Sequence, residues 1–336
     1  MRAVRVTTLG GPQAVEILEI DEPTPPSGHA VPNVSDGSVV VDVHAAGVAF
    51  PDALLTRGLY QYRPDPPFTL GAELAGVVRS APDGAHVRAG DRVVGLTMIG
   101  GAMAETAVLD AERVFPLPDN VSFESGAGLL FNDLTVYFAL TVRGRLAPGE
   151  TVLVHGAAGG IGTSTLRLAP ALGAGRVIAV VSTEDKAEVA RTAGATDVVL
   201  ADGFKDAVAE LTGGRGVDIV MDPVGGDRFT DSLRSLAPAG RLLVVGFTGG
   251  EIPTVKVNRL LLNNIDVVGV GWGAWTLRHP GALAEQWDGL AALLTSGKLV
   301  APQPQVYPLE EAAAAVASLE NRTARGKVVL RVRGQG

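Results

Sequence analysis

The stretch VHGAAGGIGTS, residues 154–164, holds four glycines within seven positions. It follows the apolar run TVLV and precedes a segment with the spacing of a helix. Glycines between a strand and a helix let the backbone approach a pyrophosphate, and the free N–H groups at the helix start bind its charge. The stretch therefore predicts a dinucleotide-binding loop; a tight structural turn is the alternative. Its predicted cofactor-binding residues are Gly159, Gly160, Ile161 and Gly162.

Apolar strands alternate with helical segments around this loop. From about residue 122 to 270, the runs TVLVHG, RVIAVV, DVVL, VDIVMD and RLLVVG are separated by helix-like stretches. This alternation predicts a doubly wound parallel sheet of the Rossmann type. Before about residue 118, short β-like runs are separated by turns rich in Gly and Pro, which predicts an antiparallel, barrel-type β region.

The end of the chain is predicted to complete this first β region. Its last β-like run, GKVVLRV, follows the helix-like LEEAAAAVASLEN, and a terminal strand is best buried in an existing sheet. The predicted fold class is therefore α/β. It combines a Rossmann domain at 126–270 with a β-barrel-type domain built from 1–125 and 271–336.

Composition and charge exclude several classes of protein. The 336 residues carry a formal net charge of −8 at pH 7, which argues against nucleic acid as a partner. The chain has no cysteine, so disulfides and thiolate-bound zinc are excluded. No apolar run reaches the ~18 residues of a membrane helix, and the start, MRAVRVTTLGG, lacks the apolar core of a signal peptide. We therefore expect a cytoplasmic protein that binds no membrane.

The end of the second Rossmann strand indicates which dinucleotide binds. NAD sites usually place an acidic residue about 20 residues after the glycines, and in this chain Val181 stands there. Ser182, Thr183 and Lys186 follow, and a charge-assisted hydrogen bond to a 2′-phosphate contributes about 1.5–3 kcal/mol. We therefore predict NADPH as the cofactor. In the alternative, Ser182 only caps a helix, Lys186 is solvated, and an acidic residue between them contacts the ribose.

These motifs, with FTLGAELAGVV, VDIVMDPVGGDRF and GRLLVVGFTGG, resemble the zinc-free quinone oxidoreductase (ζ-crystallin-like) branch of the medium-chain dehydrogenase/reductase superfamily. The resemblance covers essentially the whole chain. It implies a GroES-like catalytic domain built from both chain ends and a Rossmann domain between them, with the cofactor in the cleft. It also implies NADPH as hydride donor and a homodimer formed through the edge of the Rossmann sheet.

The resemblance implies further cofactor-binding residues. Arg322, in LENRTARGKVVL, matches an arginine that joins the lysine on the 2′-phosphate, and it is a second indication of NADPH. Thr135, in NDLTVYFAL, matches a residue that packs near the nicotinamide. A family tyrosine near the 2′-phosphate is replaced by Ala201. Each of these positions also has a purely structural interpretation. The other predicted cofactor-binding residues are Phe50, Val224, Gly246, Phe247, Val270, Gly271 and Trp272.

No metal site is predicted. Zinc-dependent relatives carry a histidine in a GHE motif, and the matching stretch here is Gly71-Ala72-Glu73. A catalytic zinc needs at least three protein ligands, and the five histidines are scattered without ligand-like pairing. Glu73 is expected to be a structural carboxylate that pairs with an arginine or with the backbone.

The predicted catalytic residues are Tyr60 and Arg57. Tyr60, in RGLY, matches the tyrosine that donates a proton in related 2-enoyl thioester reductases, and a phenol of pKa about 10 suits protonation of an enolate. Arg57 is expected at the entrance of the substrate pocket. The alternative for Tyr60 is simple packing beside a proline-rich loop.

We predict an NADPH-dependent, metal-free reductase that transfers a hydride to a small electrophilic acceptor, either a quinone or an α,β-unsaturated carbonyl compound. Ala49 and Leu54 stand where quinone reductases carry polar residues, so the pocket is expected to be more apolar. Two alternatives stay open. One is a 2-enoyl thioester reductase, and the other is a non-catalytic, crystallin-like protein that binds NADPH.

Overall fold

The computed structural model describes residues 1–23, 37–97 and 100–334. The chain forms two compact units. The first unit comprises Met1–Phe131, Pro280–Thr295 and Ala301–Gly336, and the second comprises Asn132–His279 and Ser296–Val300. The domain boundaries expected from the sequence lie at 125/126 and 270/271. They differ from the limits of these two units and remain predictions.

The described residues form strands, α-helices and short turns of 3₁₀ or π helix. The strands are β1 (Arg2–Val6), β2 (Val15–Glu19), β3 (Ser38–Val48), β4 (Phe68–Thr69), β5 (Glu73–Ser80), β6 (Arg92–Leu96), β7 (Thr106–Asp110), β8 (Val114–Pro116), β9 (Thr151–Val154), β10 (Arg176–Val181), β11 (Asp197–Leu200), β12 (Val217–Asp222), β13 (Leu236–Val244), β14 (Asp266–Gly269), β15 (Gln305–Pro308) and β16 (Val328–Arg331). The α-helices are α1 (Phe50–Thr56), α2 (Phe123–Gly126), α3 (Leu134–Phe138), α4 (Gly160–Ala171), α5 (Glu184–Thr192), α6 (Phe204–Leu211), α7 (Phe229–Arg234), α8 (Asn258–Asn263), α9 (Trp272–Thr276), α10 (Ala282–Thr295) and α11 (Ala312–Glu320). The 3₁₀ turns are Pro12–Ala14, Ala111–Arg113, Gly226–Arg228 and Leu309–Glu311, and the π turns are Leu129–Asp133 and Ala139–Arg143.

The first unit is built on two sheets. A small antiparallel sheet has the order β2-β1-β4, and a larger sheet has the order β15-β16-β3-β5-β6-β8, with β7 paired to β3. The long strand β3 pairs with β5 along one edge. Its other edge pairs first with β7 and then with β16. The prediction that the last strand returns to this region is confirmed, because Val328, Val329 and Leu330 are fully buried there.

The second unit contains a parallel six-stranded sheet in the order β11-β10-β9-β12-β13-β14. Its central strands are continuous apolar runs, because helices cover both faces of such a sheet. The strand order reverses between β9 and β12, which is the position where doubly wound sheets bind nucleotides. The predicted α/β fold with a Rossmann sheet is thus confirmed. None of the helices within the described ranges is long and apolar enough to cross a membrane.

Candidate functional site

The glycine loop joins β9 to α4 at the reversal of strand order. Gly162 lies in the first turn of α4, where a Cβ atom would come within 2.3 Å of the Gly156 carbonyl oxygen and 2.5 Å of the Ala157 Cα. A Cβ on Gly160 would lie 2.2 Å from Nδ2 of Asn132. Gly162 therefore requires glycine, because a side chain would push the helix away from the backbone of the loop, whereas a side chain at Gly160 would displace only the Asn132 amide.

The start of α4 has the features of a phosphate cradle. Gly159 is the N-cap residue and makes no side-chain hydrogen bond to the helix. By helix geometry, the N–H groups of the first turn have no acceptor within the helix, and they carry the positive end of its dipole. A Cβ on Gly159 would lie 3.3 Å from the Gly156 carbonyl oxygen, which is a tight contact. The loop therefore fits a dinucleotide pyrophosphate.

The predicted 2′-phosphate residues follow the end of β10. Val181 is buried, whereas Ser182 and Thr183 are exposed and Lys186 is half-buried in the first turn of α5. The N-cap residue of α5 is Thr183, and it makes no side-chain hydrogen bond to the helix. The alternative in which Ser182 caps this helix is therefore wrong, and the two hydroxyl side chains are not engaged in capping.

The other predicted residues of the second unit lie beyond strand ends, apart from Thr135, which is half-buried on α3. Val224 follows β12, and its N–H donates to Oδ1 of Asp222 at 2.9 Å. Because β12, β13 and β14 are parallel, the residues after them lie at the same edge of the sheet as the glycine loop. The remaining residues at this edge are Gly246 and Phe247 after β13, and Val270, Gly271 and Trp272 after β14.

The first unit contains a pocket beside α1. Tyr60, a predicted catalytic residue, lies in its wall, whereas Phe50 is half-buried at the start of α1 and does not line it. The residues that line the pocket are Ala49, Pro51, Asp52, Leu55, Tyr60, Tyr62, Ala72 and Phe131.

Asp52 is a pocket residue that the sequence analysis missed. Its Oδ2 accepts the Ala49 N–H at 2.8 Å and its Oδ1 accepts the Gly71 N–H at 3.1 Å, so it ties the start of α1 to the turn before β5. Burial raises the pKa of Asp52 from 3.8 to about 6, although these two hydrogen bonds oppose the change. The signal for it was an acidic residue in the first turn of a helix, directly after a proline.

Burial also raises the pKa of Tyr60 above its ordinary value of 10, and the charge of Asp52 adds to this effect. The phenol of Tyr60 therefore keeps its proton at neutral pH. A protonated phenol in a mostly apolar pocket is a proton donor for a bound molecule that gains negative charge.

Glu73 lies behind the pocket in a buried ion pair. Its Oε1 is 2.6 Å from Nζ of Lys327, and its Oε2 accepts the N–H of Phe131 at 2.8 Å. Lys327 also donates to the Val48 carbonyl oxygen at 3.0 Å. The expected pairing of Glu73 with the backbone is thus confirmed, and Lys327, from the opposite end of the chain, is an additional cation that was not expected.

Arg57 does not belong to the residues that line the pocket. Its Nε lies 2.5 Å from Oε1 of Glu320, and its second terminal nitrogen donates to Oε2 of the same carboxylate at 3.0 Å. Arg322, the predicted phosphate residue of the first unit, lies just after the end of α11 with a φ of 59°. Arg57 therefore lies outside the pocket that Tyr60 lines, and it pairs with the last residue of α11, two positions before Arg322.

The residues that the structure describes do not fit a metal ion. Within the described ranges, no group of three or more His, Asp or Glu side chains is arranged to hold one, and His29 lies outside those ranges. The carboxylate of Glu73, next to the missing histidine position, is already bound to Lys327 and to a backbone N–H.

Two family models match this chain. The model described as "Alcohol dehydrogenase GroES-like domain" matches residues 35–119, and the model described as "Zinc-binding dehydrogenase" matches residues 160–295. The first match lies within the first unit and confirms the predicted GroES-like domain.

Several proteins that are similar over nearly the whole chain are named oxidoreductases. Quinone oxidoreductase-like protein 2 of Rattus norvegicus is 37% identical over 95% of this chain and 91% of its own. The crystal structure of a probable oxidoreductase from Mycobacterium abscessus has a TM-score of 0.85 at 40% identity and covers 99% of each chain. The crystal structure of Escherichia coli quinone oxidoreductase complexed with NADPH has a TM-score of 0.86 at 30% identity, and the match covers 99% of this chain and 100% of that chain.

Proposed function

This chain belongs to the quinone oxidoreductase branch of the medium-chain dehydrogenase/reductase superfamily, and on that premise we propose that it is an NADPH-dependent, metal-free reductase of quinones or α,β-unsaturated carbonyl compounds. The observation that carries the proposal is the end of β10. There a buried valine replaces the acidic residue of NAD sites, and exposed hydroxyls and a lysine follow it.

NADPH, when bound, supplies a hydride from C4 of its nicotinamide ring. The residues that hold it are the first turn of α4 at the pyrophosphate, with Ser182, Thr183 and Lys186 at the 2′-phosphate. Arg322 is proposed as a second cation for the same phosphate. The similar Escherichia coli enzyme, which was crystallised with NADPH, supports this choice of coenzyme.

Tyr60 is the proposed proton donor. A quinone or enone that accepts a hydride becomes an anion, and that charge must be neutralised for the product to leave. The phenol of Tyr60 lines the pocket and keeps its proton at neutral pH because burial and Asp52 raise its pKa. Asp52 holds the pocket wall through the N–H groups of Ala49 and Gly71.

The pocket favours a small, apolar acceptor over a coenzyme A thioester. Alanine, proline, leucine and phenylalanine form most of its lining. A thioester of coenzyme A needs cations for its phosphates, but Arg57 is bound to Glu320. The other arginine nearby, Arg63, donates to the Tyr60 carbonyl oxygen at 3.3 Å. These contacts support a quinone or a simple enone as acceptor.

A homodimer is proposed at the outer edge of the parallel sheet. β14 is the last strand of that sheet, and the segment before it exposes several large apolar side chains. A second copy that covers this edge would bury them and would satisfy the open strand. The predicted cytoplasmic location stays a prediction. The exposed side chains are Ile252, Val257, Leu261 and Leu262.

To test the proposal, a panel of acceptors is mixed with the protein and either NADPH or NADH. The rate of oxidation is measured as the loss of absorbance of the reduced nicotinamide. We expect oxidation of NADPH by a benzoquinone or an enone, slower oxidation of NADH, and little activity with crotonyl-coenzyme A. A preference for the crotonyl thioester would support the enoyl reductase instead. No oxidation with any acceptor, despite tight NADPH binding, would support the non-catalytic binding protein.

A further inference from the structure

Arg57 and Glu320 join the C-terminal ends of two helices. Arg57 is the C-cap residue of α1, and Glu320 is the last residue of α11, 263 positions later. Both carboxylate oxygens of Glu320 accept from the guanidinium, at 2.5 and 3.0 Å. Such a bidentate pair fixes the direction of both side chains, whereas a single contact would leave them free to rotate.

The turn before Pro12 also contacts the guanidinium of Arg57. Gly11 has a φ of 91°, and a Cβ on it would lie 2.8 Å from Cζ of Arg57. The backbone of this turn therefore lies directly against the guanidinium. The Gly11 N–H also donates to the carbonyl oxygen of Thr56, the last residue of α1, at 3.0 Å. The side chains of Arg57 and Glu320 are 39% and 33% exposed, so the ion pair forms the solvent-facing edge of this junction.

Arg322 leaves α11 in a conformation that usually belongs to glycine. The Arg322 N–H donates to the Leu319 carbonyl oxygen at 3.3 Å, and the Thr323 N–H donates to that of Ser318 at 2.9 Å. These two bonds form a Schellman cap, whose residue of positive φ is most often glycine. An arginine with a φ of 59° carries strain that glycine would avoid.

We infer that Arg57 is a positioning residue for the 2′-phosphate of the coenzyme, acting through Glu320 on Arg322. The ion pair fixes the last turn of α11 and thereby the direction in which Arg322 leaves the helix. It also neutralises a carboxylate two residues from Arg322, which would otherwise compete with the phosphate for that cation. This inference rests on the proposed role of Arg322 in the proposed function.

The same junction connects the phosphate residue to the acceptor pocket. Asp52 and Leu55, on α1, line the pocket, and Arg57 follows at the end of that helix. The ion pair thus adds a polar contact between the helix that lines the pocket and the end of α11, beside the apolar packing of these two helices. The predicted role of Arg57 as a catalytic residue is replaced in this proposal by a role in coenzyme selection.

The test measures the KM for NADPH and for NADH in Glu320→Ala. We expect the KM for NADPH to rise about two- to fivefold, the range for well-placed ion pairs, with the KM for NADH and the melting temperature unchanged. Arg57→Ala is expected to raise the KM for NADPH further, because it leaves the carboxylate of Glu320 unpaired beside Arg322. The double variant Arg57→Glu with Glu320→Arg exchanges the two charges and should restore the preference for NADPH over NADH. Calorimetry should show that adenosine 2′,5′-bisphosphate binds more weakly to Glu320→Ala than to the unaltered protein, and more weakly still to Arg57→Ala.

Arg2 provides a matched control. Its guanidinium lies 2.6 Å from Glu310, which precedes α11 at the opposite end of the same segment, so Glu310→Ala should leave both coenzymes unaffected. Equal changes for NADPH and NADH in Glu320→Ala would overturn the inference, as would no change in that variant while Arg322→Ala raises the KM for NADPH. An unchanged KM in Arg322→Ala would overturn the proposed phosphate role of Arg322 and this inference with it.

Discussion

Nζ of Lys327 lies 2.6 Å from Oε1 of Glu73, and both side chains are almost fully buried. The second carboxylate oxygen accepts the N–H of Phe131, whose side chain lines the acceptor pocket. The pair therefore anchors one wall of the pocket from behind. It also accounts for a buried carboxylate that, in zinc-dependent relatives, follows a histidine of the GHE motif.

Lys327→Met should destabilise the first unit by about 3–5 kcal/mol, because it leaves the Glu73 carboxylate buried without a cation. Adding Glu73→Gln should recover part of this loss, since the amide oxygen can still accept the Phe131 N–H. Urea denaturation followed by fluorescence measures both effects. Arg331→Met, which breaks the more exposed pair with Glu124, is the control and should cost less than about 1 kcal/mol. Equal losses of stability in Lys327→Met and Arg331→Met would contradict a special role of the buried ion pair.

Tyr60→Phe should lower turnover about a hundredfold, the usual contribution of a positioned general acid, without weakening NADPH binding. Tyr62→Phe removes the other hydroxyl of the pocket lining and should change turnover little. Because the pKa of Tyr60 is raised above 10, turnover of the unaltered protein should not fall through loss of this proton below that pH. Steady-state kinetics with a benzoquinone check all three. If Tyr60→Phe turned over at the original rate, Tyr60 would have only a packing role.

Replacing Lys186 and Arg322 together by alanine should raise the KM for NADPH more than tenfold, since each charge-assisted bond to phosphate contributes about 1.5–3 kcal/mol. The KM for NADH should remain nearly constant, because that coenzyme lacks the phosphate. Lys205→Ala, in the first turn of the next helix, is a matched control and should alter neither value. A loss shared equally by both coenzymes would place the 2′-phosphate elsewhere.

Two buried groups should give opposite pH dependences of stability. Burial lowers the pKa of His155 from 6.5 to about 4. Its contribution to the free energy of unfolding is therefore full above pH 6.5 and is lost as the pH falls towards 4. The pKa of Asp52 is raised from 3.8 to about 6, so its contribution is full below 3.8 and is lost as the pH rises through 6. Each amounts to at most about 3 kcal/mol.

Variants of these residues separate the two contributions. Relative to the unaltered protein, Asp52→Asn should become more stable as the pH rises from 4 to 6, and His155→Gln should become less stable over the same interval. Urea unfolding midpoints at steps across this interval measure the difference. Parallel curves for either variant would show that the residue titrates alike in the folded and unfolded chains.

Leu261→Asp with Leu262→Asp should convert the proposed homodimer into monomers, because the side chains are 77% and 73% exposed in one chain and would be buried by a second. Sedimentation velocity gives the mass. Val300→Asp alters another residue of the second unit with 70% exposure and should leave the dimer intact. If the variant is still a dimer, the contact between the two copies lies on another face. If the unaltered protein is a monomer, the proposed homodimer is wrong.

Local patterns predicted the parallel sheet and the glycine loop because each is encoded within a short stretch. The strands around β9 are continuous apolar runs, and Gly162 is needed by contacts with Gly156 and Ala157 only a few residues away. The partners of Glu73 and Arg57 were not predictable in this way, since Lys327 and Glu320 lie 254 and 263 residues further along the chain. Asp52 was missed because its role depends on the turn at Gly71, which only the folded unit brings close.

The pairing of β16 with β3 has a consequence for biosynthesis. Lys327 and Val48, at the two sides of this pairing, are 279 positions apart, so residues up to β16 must leave the ribosome before the larger sheet of the first unit can close. The parallel sheet of the second unit is translated entirely in between and can fold earlier. Until then, the part of β3 that pairs with β16 is an open strand edge, and an open edge in a nascent chain favours aggregation.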